Sequence, residues 1–414
     1  MQLSRHHMRQ KGTAVMKDAL ILGGGFAGVW SAASAVRLAR SAGSDRLRVR
    51  LISAGDDMVI RPRLYERNPD KMRIDLDRLL NPIGVERLNA RVESIDAASQ
   101  TVMAHGADGV LVTASYDRLV LATGSQLKRP AFPGAAHAFN IDTLNAAVAL
   151  DIHLHHVSQL PPRARYTAVV VGAGFTGLEI ATELVGRLRD VAAGQEVRVI
   201  LVERAKVLGP ELGDVPRPVI VDALDTLGVE RRLGRTVASA TETQVALDDG
   251  EVIPAATLIW TVGMSASPLT AQIPAERDRF GRLLVDEYLR VTPTVYAAGD
   301  TAAAVADGGH PTIQSCQHAQ PMGKYAGHNV AADLLGLPML PFTADPYSNC
   351  IDLGAAGALT TVGWERTVDK EGSEAKAIKH AINTQWIYPP TDSADALLAK
   401  AGHFSNSAYA QEIS

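Results

Sequence analysis

The sequence predicts an α/β protein in which one strand–turn–helix unit occurs twice. Two glycine-rich motifs support this prediction, one at Gly23–Gly28 and the other at Gly172–Gly177. Each follows an apolar run that predicts a buried strand and precedes a run that predicts a helix. A third motif, Gly299-Asp300, ends a later apolar run. We therefore expect two Rossmann-like dinucleotide-binding domains and a small C-terminal α+β segment.

The first unit begins with the apolar strand Asp18–Leu22, and its glycine motif leads into a helix over Ala27–Arg40. That helix is rich in alanine, the residue with the highest helix propensity. A second apolar strand, Arg48–Ser53, completes the β-α-β arrangement of a Rossmann half. The adjacent prolines Pro161 and Pro162 cannot continue a helix and therefore separate this half from the next.

The second unit repeats this order with a strand at Tyr166–Val171, a helix at Leu178–Val191 and a strand at Val197–Glu203. The chain then returns to the first domain, which is predicted to be discontinuous. The predicted division of the chain is a disordered leader at 1–16, a first domain at 17–155 and 277–336, a second domain at 156–276, and a C-terminal segment at 337–414.

Composition and charge argue against several classes of protein. The net charge of −4 disfavours binding to nucleic acid phosphates, and no apolar run reaches the roughly 18–20 residues that span a bilayer. Only two cysteines occur, Cys316 and Cys350, which fits a reducing cytoplasm. His153, His155 and His156 lie on a predicted helix without further ligands nearby, so we expect a solvated helix face and no metal site.

The three main glycines of each motif have distinct predicted roles. The first permits the tight turn from strand to helix, the second lets backbone N–H groups approach a pyrophosphate, and the third lets the helix pack close to the strand. The pyrophosphate is then expected at the helix N-terminus, where unpaired N–H groups and the helix dipole favour an anion. The two motifs therefore predict two dinucleotides bound by one chain.

The residue that ends the second strand of each unit normally contacts the adenosine ribose. In the second unit this residue is Glu203, whose carboxylate would repel a 2′-phosphate and therefore predicts NADH. Two basic residues directly after it leave NADPH as the alternative. In the first unit the position holds Ser53, and either its hydroxyl binds the ribose or one of Asp56 and Asp57 does.

On these motifs the chain resembles the two-dinucleotide-binding-domain flavoproteins of the pyridine nucleotide–disulfide oxidoreductase superfamily, in particular their type II NADH:quinone oxidoreductase branch. The resemblance covers about residues 17–336 and continues more weakly to about 390. The segments that support it are Gly23–Gly28, Arg61–Glu66, Ala122–Gly124, Gly172–Leu184, Trp260–Gly263, Tyr296–Asp300 and Cys316–Ala319.

The resemblance implies that the first unit binds FAD, tightly but without a covalent bond, and that the second binds NADH. Asp300 would hold the ribityl chain of FAD, and Glu179 would lie close to nicotinamide and flavin. Glu179 and Gln317 are the predicted catalytic residues. The predicted cofactor-binding residues are Gly23, Gly25, Phe26, Ala27, Gly28, Ser53, Arg61, Ala122, Thr123, Gly124, Gly172, Gly174, Phe175, Thr176, Gly177, Glu203, Gly263, Gly299, Asp300, Gln317, His318 and Ala319.

The resemblance also implies an oxidoreductase that passes electrons from NADH through flavin N5 to a quinone-like small molecule. Two alternatives are a soluble reductase of a ferredoxin- or rubredoxin-type protein and a redox-responsive nucleotide-binding protein with slow turnover. We expect a cytoplasmic enzyme, at most peripheral at the inner face of the membrane, with a homodimer as one option. The C-terminal segment is expected to cover the acceptor site or to form an interface.

Two features depart from the pattern of quinone-reducing members. These carry Ala-Gln-x-Ala-x-Gln on the helix after the Gly-Asp motif, and here Gln317 and Ala319 match but Pro321 occupies the later glutamine position. The C-terminal end of such proteins is often a basic, amphipathic membrane anchor. Residues 389–414 contain Asp392, Asp395 and Glu412 and little positive charge, so they give weak support for an anchor.

Two arginines, Arg61 and Arg63, stand where neutral residues are more usual. They could steer an anionic acceptor or a carboxylate substrate towards the flavin. They could instead form ion pairs with nearby acids such as Asp56, Asp57 or Glu66, and the sequence slightly favours these ion pairs.

Overall fold

A computed structural model describes residues 15–405 of the chain, so the predicted leader at 1–16 lies almost wholly outside the described residues, as does Glu412. The first part of the chain contains one Rossmann-like unit with an antiparallel extension. Its helices and strands are β1 (Lys17–Leu22), α1 (Phe26–Ser41), β2 (Leu47–Ser53), β3 (Asp57–Val59), β4 (Arg73–Asp75), α2 (Leu76–Leu80), β5 (Glu86–Asp96), β6 (Thr101–Gly106), β7 (Leu111–Ser115), β8 (Arg118–Leu121) and β9 (Ser125–Leu127).

The second part contains the repeated unit. Its elements are β10 (Ala138–Phe139), α3 (Leu144–His156), β11 (Thr167–Val171), α4 (Phe175–Ala192), β12 (Arg198–Glu203), α5 (Arg217–Leu227), β13 (Val229–Leu233), β14 (Val237–Ala240), β15 (Gln244–Leu247), β16 (Val252–Pro254), β17 (Thr257–Trp260) and β18 (Met264–Ala266). Strand β10 already pairs with β17, so the chain first joins the second sheet at Ala138–Phe139, ahead of the predicted boundary at residue 156.

The third part returns to the first sheet and ends in a long helix. Its elements are β19 (Leu283–Leu284), β20 (Arg290–Thr292), β21 (Val295–Ala297), β22 (Ala302–Ala303) and α6 (Cys316–Leu335). The last part is a small α+β segment, consisting of β23 (Ser348–Asp352), β24 (Ala358–Val362), β25 (Thr367–Glu371), α7 (Gly372–Ala381), a π-helical turn (Ile382–Trp386) and α8 (Ala394–Ala401).

Two main sheets form the layers to which both glycine turns are attached. The first has the order β20-β21-β8-β1-β2-β5-β6-β7, and the second has the order β10-β17-β11-β12-β13. The pairs of β1 with β2 and β8 and of β11 with β12 and β17 are all parallel. Buried parallel strands carry apolar residues on both faces, as the fully buried strand β11 shows. The predicted fold class is confirmed.

Helices α1 and α6 pack so closely that glycine is required at their contact. A Cβ at Gly323 would lie 2.4 Å from the carbonyl oxygen of Ala27, and a Cβ at Gly327 would lie 2.0 Å from that of Ser31. The Ser31 hydroxyl donates to the Gly323 carbonyl at 3.0 Å. This contact fixes the start of α6 beside the first glycine turn, where the first domain's site is expected.

Candidate active site

Both glycine turns have the same backbone geometry. Gly23 and Gly172 have φ values of 112° and 104°, a region that favours glycine. A Cβ at Gly28 would lie 1.8 Å from the Gly23 carbonyl oxygen, and a Cβ at Gly177 would lie equally close, at 1.8 Å, to that of Gly172. The first and third glycines of each motif are therefore required by the fold itself.

The middle glycines lie where each helix begins and leave its N-terminus open. Gly25 caps α1 and Gly174 caps α4, and neither helix receives a side-chain cap from the described residues. No atom lies within 4 Å of the position that a Cβ at Gly25 would take, whereas the Glu211 carboxylate lies 2.5 Å from the equivalent position at Gly174. The unpaired N–H groups of both first turns can therefore donate hydrogen bonds to an anionic ligand.

The ends of β2 and β12 differ as the sequence indicates. The Glu203 carboxylate accepts the backbone N–H groups of Ala173, at 2.9 Å, and Ala205, at 2.8 Å, which holds it against the second glycine turn. Ser53 lies against the first turn, its hydroxyl 2.6 Å from the position of a Cβ at Gly24.

The two acids that follow Ser53 are already paired. Asp56 accepts hydrogen bonds from Arg87 at 3.0 Å and from Asn89 at 2.7 Å. Asp57 accepts one from Arg73 at 3.0 Å. Of the three alternatives for the ribose contact, only Ser53 is therefore not engaged in an ion pair.

Asp300 lies where three parts of the first domain meet. The Ser125 hydroxyl donates to it at 2.6 Å, and the Arg61 guanidinium lies 3.7 Å away. Burial raises the pKa of Asp300, while Ser125 and Arg61 oppose this shift. Arg61 also pairs with Asp142, which the sequence did not suggest as its partner.

The ion-pair interpretation also describes Arg63. Its guanidinium pairs with Glu66 at 2.6 Å and donates to the Tyr388 hydroxyl at 2.8 Å. The pKa of Arg63 is raised by this bond to Glu66. Both arginines are therefore held by acids rather than directed at an open surface.

Two buried polar atoms are unpaired, one beside the first glycine turn and one in the first turn of α6. Thr123 Oγ1 and His318 Nε2 are buried and have no hydrogen-bond partner among residues 15–405. Buried polar atoms without a partner are uncommon in folded proteins, and a bound ligand or a water molecule can satisfy them. Gly299, with φ of 69°, brings the Gly-Asp motif against Ala27 and Ala319, whose Cβ atoms lie 2.9 and 3.3 Å from the position of an added Cβ.

The segment Trp260–Gly263 lies beside the second glycine turn. A Cβ at Gly172 would lie 2.6 Å from a methyl group of Val262. Gly263 has φ of 95°, and its carbonyl accepts the N–H of Lys128 at 2.8 Å. The segment therefore connects the second unit to the strand that follows Gly124 in the first.

Glu179 forms a buried ion pair that the sequence did not predict. Lys379 Nζ, from α7, lies 2.7 Å from Glu179 Oε1, and the two side chains are only 9% and 12% exposed. Burial raises the pKa of Glu179 and the pairing with Lys379 opposes this shift. The pKa of Lys379 is raised because its attraction to Glu179 outweighs its burial.

A polar network extends from this pair to the first domain. The Tyr65 hydroxyl donates to Asp352 at 3.0 Å, and the Asp352 N–H donates to Glu179 at 3.2 Å. Asn383, in the π-helical turn, donates to Tyr65 at 3.1 Å. Lys376 also pairs with Asp352. The network thereby joins both Rossmann-like units and the C-terminal segment.

Gln317 contacts the same C-terminal strand, at its other end. With the amide oriented to satisfy both of its atoms, its nitrogen donates to the Ser348 carbonyl at 2.6 Å and its oxygen accepts the Ser348 N–H at 3.2 Å. Strand β23 therefore contacts both predicted catalytic residues, Glu179 through Asp352 and Gln317 through Ser348. Pro321 lies inside α6 and, lacking an N–H, cannot bond back to the Gln317 carbonyl.

The two cysteines are partly buried, and of the three helix histidines His155 and His156 are exposed as expected while His153 packs against the second unit. Burial raises the pKa of Cys316 to about 11 and that of Cys350 to about 12, so both are thiols at neutral pH. His153 lies 2.9 Å from the Thr257 hydroxyl. No group of three or more potential ligands within residues 15–405 is placed to hold a metal ion.

Sequence reasoning missed the residues that the C-terminal segment contributes. For Lys379 the sequence offers only its spacing of four residues from Ala375, which places both on one face of a helix without showing that this face is buried. Asp352, at the end of β23, and Arg366, between β24 and β25, had no sequence signal. Their contacts depend on how the segment packs on α4.

Comparison with known proteins agrees with this architecture. The family model described as pyridine nucleotide-disulphide oxidoreductase matches residues 17–323. The chain belongs to this family. The protein is therefore an oxidoreductase, as the sequence predicted.

The relatives extend beyond the matched region. A NADH dehydrogenase-like protein of Mycobacterium tuberculosis is 45% identical over 398 residues, covering 93% of this chain and 98% of that protein. A type II NADH:quinone oxidoreductase of Staphylococcus saprophyticus is 24% identical and covers 90% of this chain and 95% of its own length. The predicted resemblance to this branch of the family is confirmed.

A solved structure supports the fold. The NDH2 protein of Plasmodium falciparum, solved in complex with NADH, superposes with a TM-score of 0.74 and 13% identity, covering 93% of this chain and 97% of that one. As for membrane insertion, each helix between residues 15 and 405 is too short or too polar to cross a bilayer.

Proposed function

We propose that this protein is an FAD-dependent NADH oxidoreductase that reduces a quinone-like small molecule. The observation that supports this most directly is the pair of open glycine turns, each at the N-terminus of an uncapped helix. Their domains meet at the network that contains Glu179, Lys379 and Asp352. A two-step transfer of electrons requires two nucleotide sites in one protein. Here both proposed sites lie beside one buried polar network.

The first unit would hold FAD. The pyrophosphate would lie on the α1 N-terminus at Gly25, and Ser53 would contact the adenosine ribose. Asp300 would bind the ribityl hydroxyls, with Thr123 and His318 supplying polar contacts that they lack in the protein alone. When bound, the flavin supplies a carrier that accepts a hydride from one substrate and passes two electrons to another.

The second unit would hold NADH. Glu203 is fixed by two backbone N–H groups, so its carboxylate is positioned to accept from the ribose hydroxyls. The same carboxylate would repel a 2′-phosphate, which favours NADH over NADPH. Arg204 and Lys206 are exposed beside it and would weaken this preference without reversing it.

The pair of Glu179 and Lys379 would supply a proton. Reduction of a quinone by NADH consumes one proton from solution in addition to the hydride, giving NAD⁺ and the quinol. Glu179 and Lys379 are 2.7 Å apart and almost excluded from water, so a proton taken up there is held within the pair. The raised pKa of Glu179 suits a group that both accepts and returns a proton.

The acceptor is proposed to be uncharged. Arg61 and Arg63, the two cations that could have attracted an anionic acceptor, are both paired with acids. Met322, five residues after Gln317 and next to Pro321, is buried, so this part of α6 packs in apolar surroundings. A small quinone fits these surroundings better than an acidic protein surface does.

An anaerobic titration of the purified full-length protein tests the proposal. The preparation should be yellow, and NADH should bleach the flavin absorbance faster than NADPH at equal concentration. The reduced protein is then mixed separately with menadione, a short-chain ubiquinone, a ferredoxin and oxygen. We expect the quinones to restore the absorbance fastest.

Three results would overturn parts of the proposal. A colourless preparation that does not bind added FAD would contradict the assignment of the first unit. A yellow preparation that neither nucleotide bleaches would contradict the donor. Rapid reoxidation by ferredoxin but not by quinone would replace the acceptor with a protein.

A further inference from the structure

The four-residue turn Gly363–Arg366 connects β24 and β25 and reaches from the C-terminal segment to the second glycine turn. The N–H of Gly363 donates to the Tyr347 carbonyl at 2.7 Å. Trp364 stacks on the Tyr347 ring, with centroids 4.3 Å apart, and its indole N–H donates to Asp307 at 2.8 Å. These contacts fix the turn, so its last residue has a defined position.

Arg366 ends this turn in a left-handed conformation, with φ of 55°. Its guanidinium carbon lies 5.4 Å from the centroid of the Phe175 ring and 5.6 Å from that of Tyr347. Phe175 is the first residue of α4 and directly follows Gly174. Arg366 is therefore held between two aromatic rings, one of which belongs to the residue that directly follows the second glycine turn.

The Arg366 guanidinium group has a hydrogen-bond donor that is not used. Its Nη1 atom is buried and has no hydrogen-bond partner within residues 15–405. A buried, unpaired N–H of a charged group is costly, because the desolvation of that group is uncompensated. A hydrogen-bond acceptor on a bound ligand would supply this partner.

The charges around the glycine turn indicate what that acceptor is. The α4 N-terminus attracts an anion, whereas Glu211, whose carboxylate lies 2.5 Å from the position of a Cβ at Gly174, repels one. A dinucleotide pyrophosphate placed there needs a cation to offset Glu211. Arg366 is the cation that the rings of Phe175 and Tyr347 hold beside this turn, and its planar group binds phosphate in a bidentate manner.

We propose that Arg366 binds the pyrophosphate of NADH, so that the C-terminal segment completes the nucleotide site of the second unit. This inference rests on the proposed NADH site at that unit. It assigns the substrate a contact outside the Rossmann-like fold that contains the glycine motif. The position of the turn therefore links nucleotide binding to the packing of the C-terminal segment.

Titration calorimetry on the holoenzyme tests this with two probes. ADP-ribose contains the pyrophosphate without nicotinamide, and adenosine contains neither phosphate. We expect Arg366→Gln to weaken ADP-ribose binding by about 10- to 100-fold and to leave adenosine binding unchanged. Arg366→Lys should retain part of the affinity because it keeps the charge but not the planar group.

Glu365→Gln, in the same turn and exposed to solvent, is the matched control and should bind ADP-ribose like the parent. Steady-state assays should show a raised KM for NADH in Arg366→Gln with a nearly unchanged kcat. Equal ADP-ribose affinity in Arg366→Gln and the parent would overturn the role of Arg366 while leaving the NADH site intact. A parent protein that binds neither ADP-ribose nor NADH would overturn both this inference and the proposed donor.

Discussion

At the scale of single residues, the glycines of one motif have separable functions. Gly28 has no room for a Cβ because the Gly23 carbonyl oxygen would be 1.8 Å away, whereas Gly25 faces open space. The sequence assigned these roles from the motif alone. The structure adds that the third glycine is needed for folding. A Cβ at the second glycine would meet no atom of the described residues and would clash only with a bound ligand.

This separation predicts opposite outcomes for two neighbouring alanine substitutions. Gly28→Ala should lower the free energy of unfolding by about 3 kcal/mol or more, because backbone atoms must move. Gly25→Ala should fold like the parent, since its φ of −85° suits alanine, but should retain less flavin. Denaturation curves and the flavin-to-protein ratio after gel filtration measure the two effects. Equal stability of the two variants would contradict this assignment.

The ion pair of Glu179 and Lys379 is buried, so the removal of one partner should have a large effect. Lys379→Met leaves the Glu179 carboxylate buried without its cation, so we expect a loss of about 3–5 kcal/mol in the free energy of unfolding at neutral pH. The double variant with Glu179→Gln should recover much of this loss, because no unpaired charge remains. Chemical denaturation of the two single variants and the double variant measures the coupling.

The pH dependence of Lys379→Met follows from the same group. The pKa of Glu179 is raised above its ordinary value of 4.5 in the folded protein, and losing Lys379 raises it further. The folded state then binds more protons than the unfolded state above pH 4.5, so the stability of Lys379→Met should fall as pH rises. The double variant should lack this slope. A slope of opposite sign would show that Glu179 is stabilised as a carboxylate by other groups.

At the scale of elements, the strands and helices around both glycine turns follow from the sequence pattern. The predicted helices Ala27–Arg40 and Leu178–Val191 correspond to Phe26–Ser41 and Phe175–Ala192. The observed helices begin earlier because each starts directly after its middle glycine. Hydrophobic periodicity does not locate such a start, since glycine is a poor helix former and an ordinary N-cap.

The close contact between helices α1 and α6 can be tested by adding one methyl group at a contact glycine. Gly327→Ala would place a Cβ 2.0 Å from the Ser31 carbonyl oxygen and should lower the unfolding free energy by about 1–3 kcal/mol. Gly186→Ala, on α4, meets only the end of a flexible arginine side chain, at 3.6 Å. It should be neutral or stabilising by up to about 1 kcal/mol, because alanine favours helix. Thermal unfolding compares the two, and similar losses would contradict the close helix contact.

At the scale of the whole molecule, the C-terminal segment joins both Rossmann-like units through polar contacts. Tyr65, from the first unit, donates to Asp352 and accepts from Asn383, and Asp352 in turn donates to Glu179 on α4. Burial raises the pKa of Tyr65, so its hydroxyl keeps the proton that it donates. These buried hydrogen bonds therefore contribute to the relative position of the units, together with the pairing of β9 and β18.

Removing one hydroxyl tests this connection. Tyr65→Phe leaves Asp352 and Asn383 each short of a partner and should lower the unfolding free energy by about 1–3 kcal/mol. Tyr166→Phe is the control, because the Tyr166 hydroxyl makes only a long bond of 3.4 Å to Val191. Urea denaturation of both variants gives the comparison. A Tyr65→Phe variant as stable as Tyr166→Phe would show that the network contributes little.

The sequence by itself determined the duplicated fold, the family, the three glycine motifs and the acid Glu203, because these features depend on short spacings along the chain. Only the tertiary structure placed Lys379 against Glu179, Ser348 against Gln317 and Arg366 against Phe175. These contacts join residues far apart in sequence, and their partners lie in a segment without a motif. A spacing pattern predicts the local backbone structure of a short segment. The packing of the C-terminal segment on α4 depends instead on burial over the whole molecule.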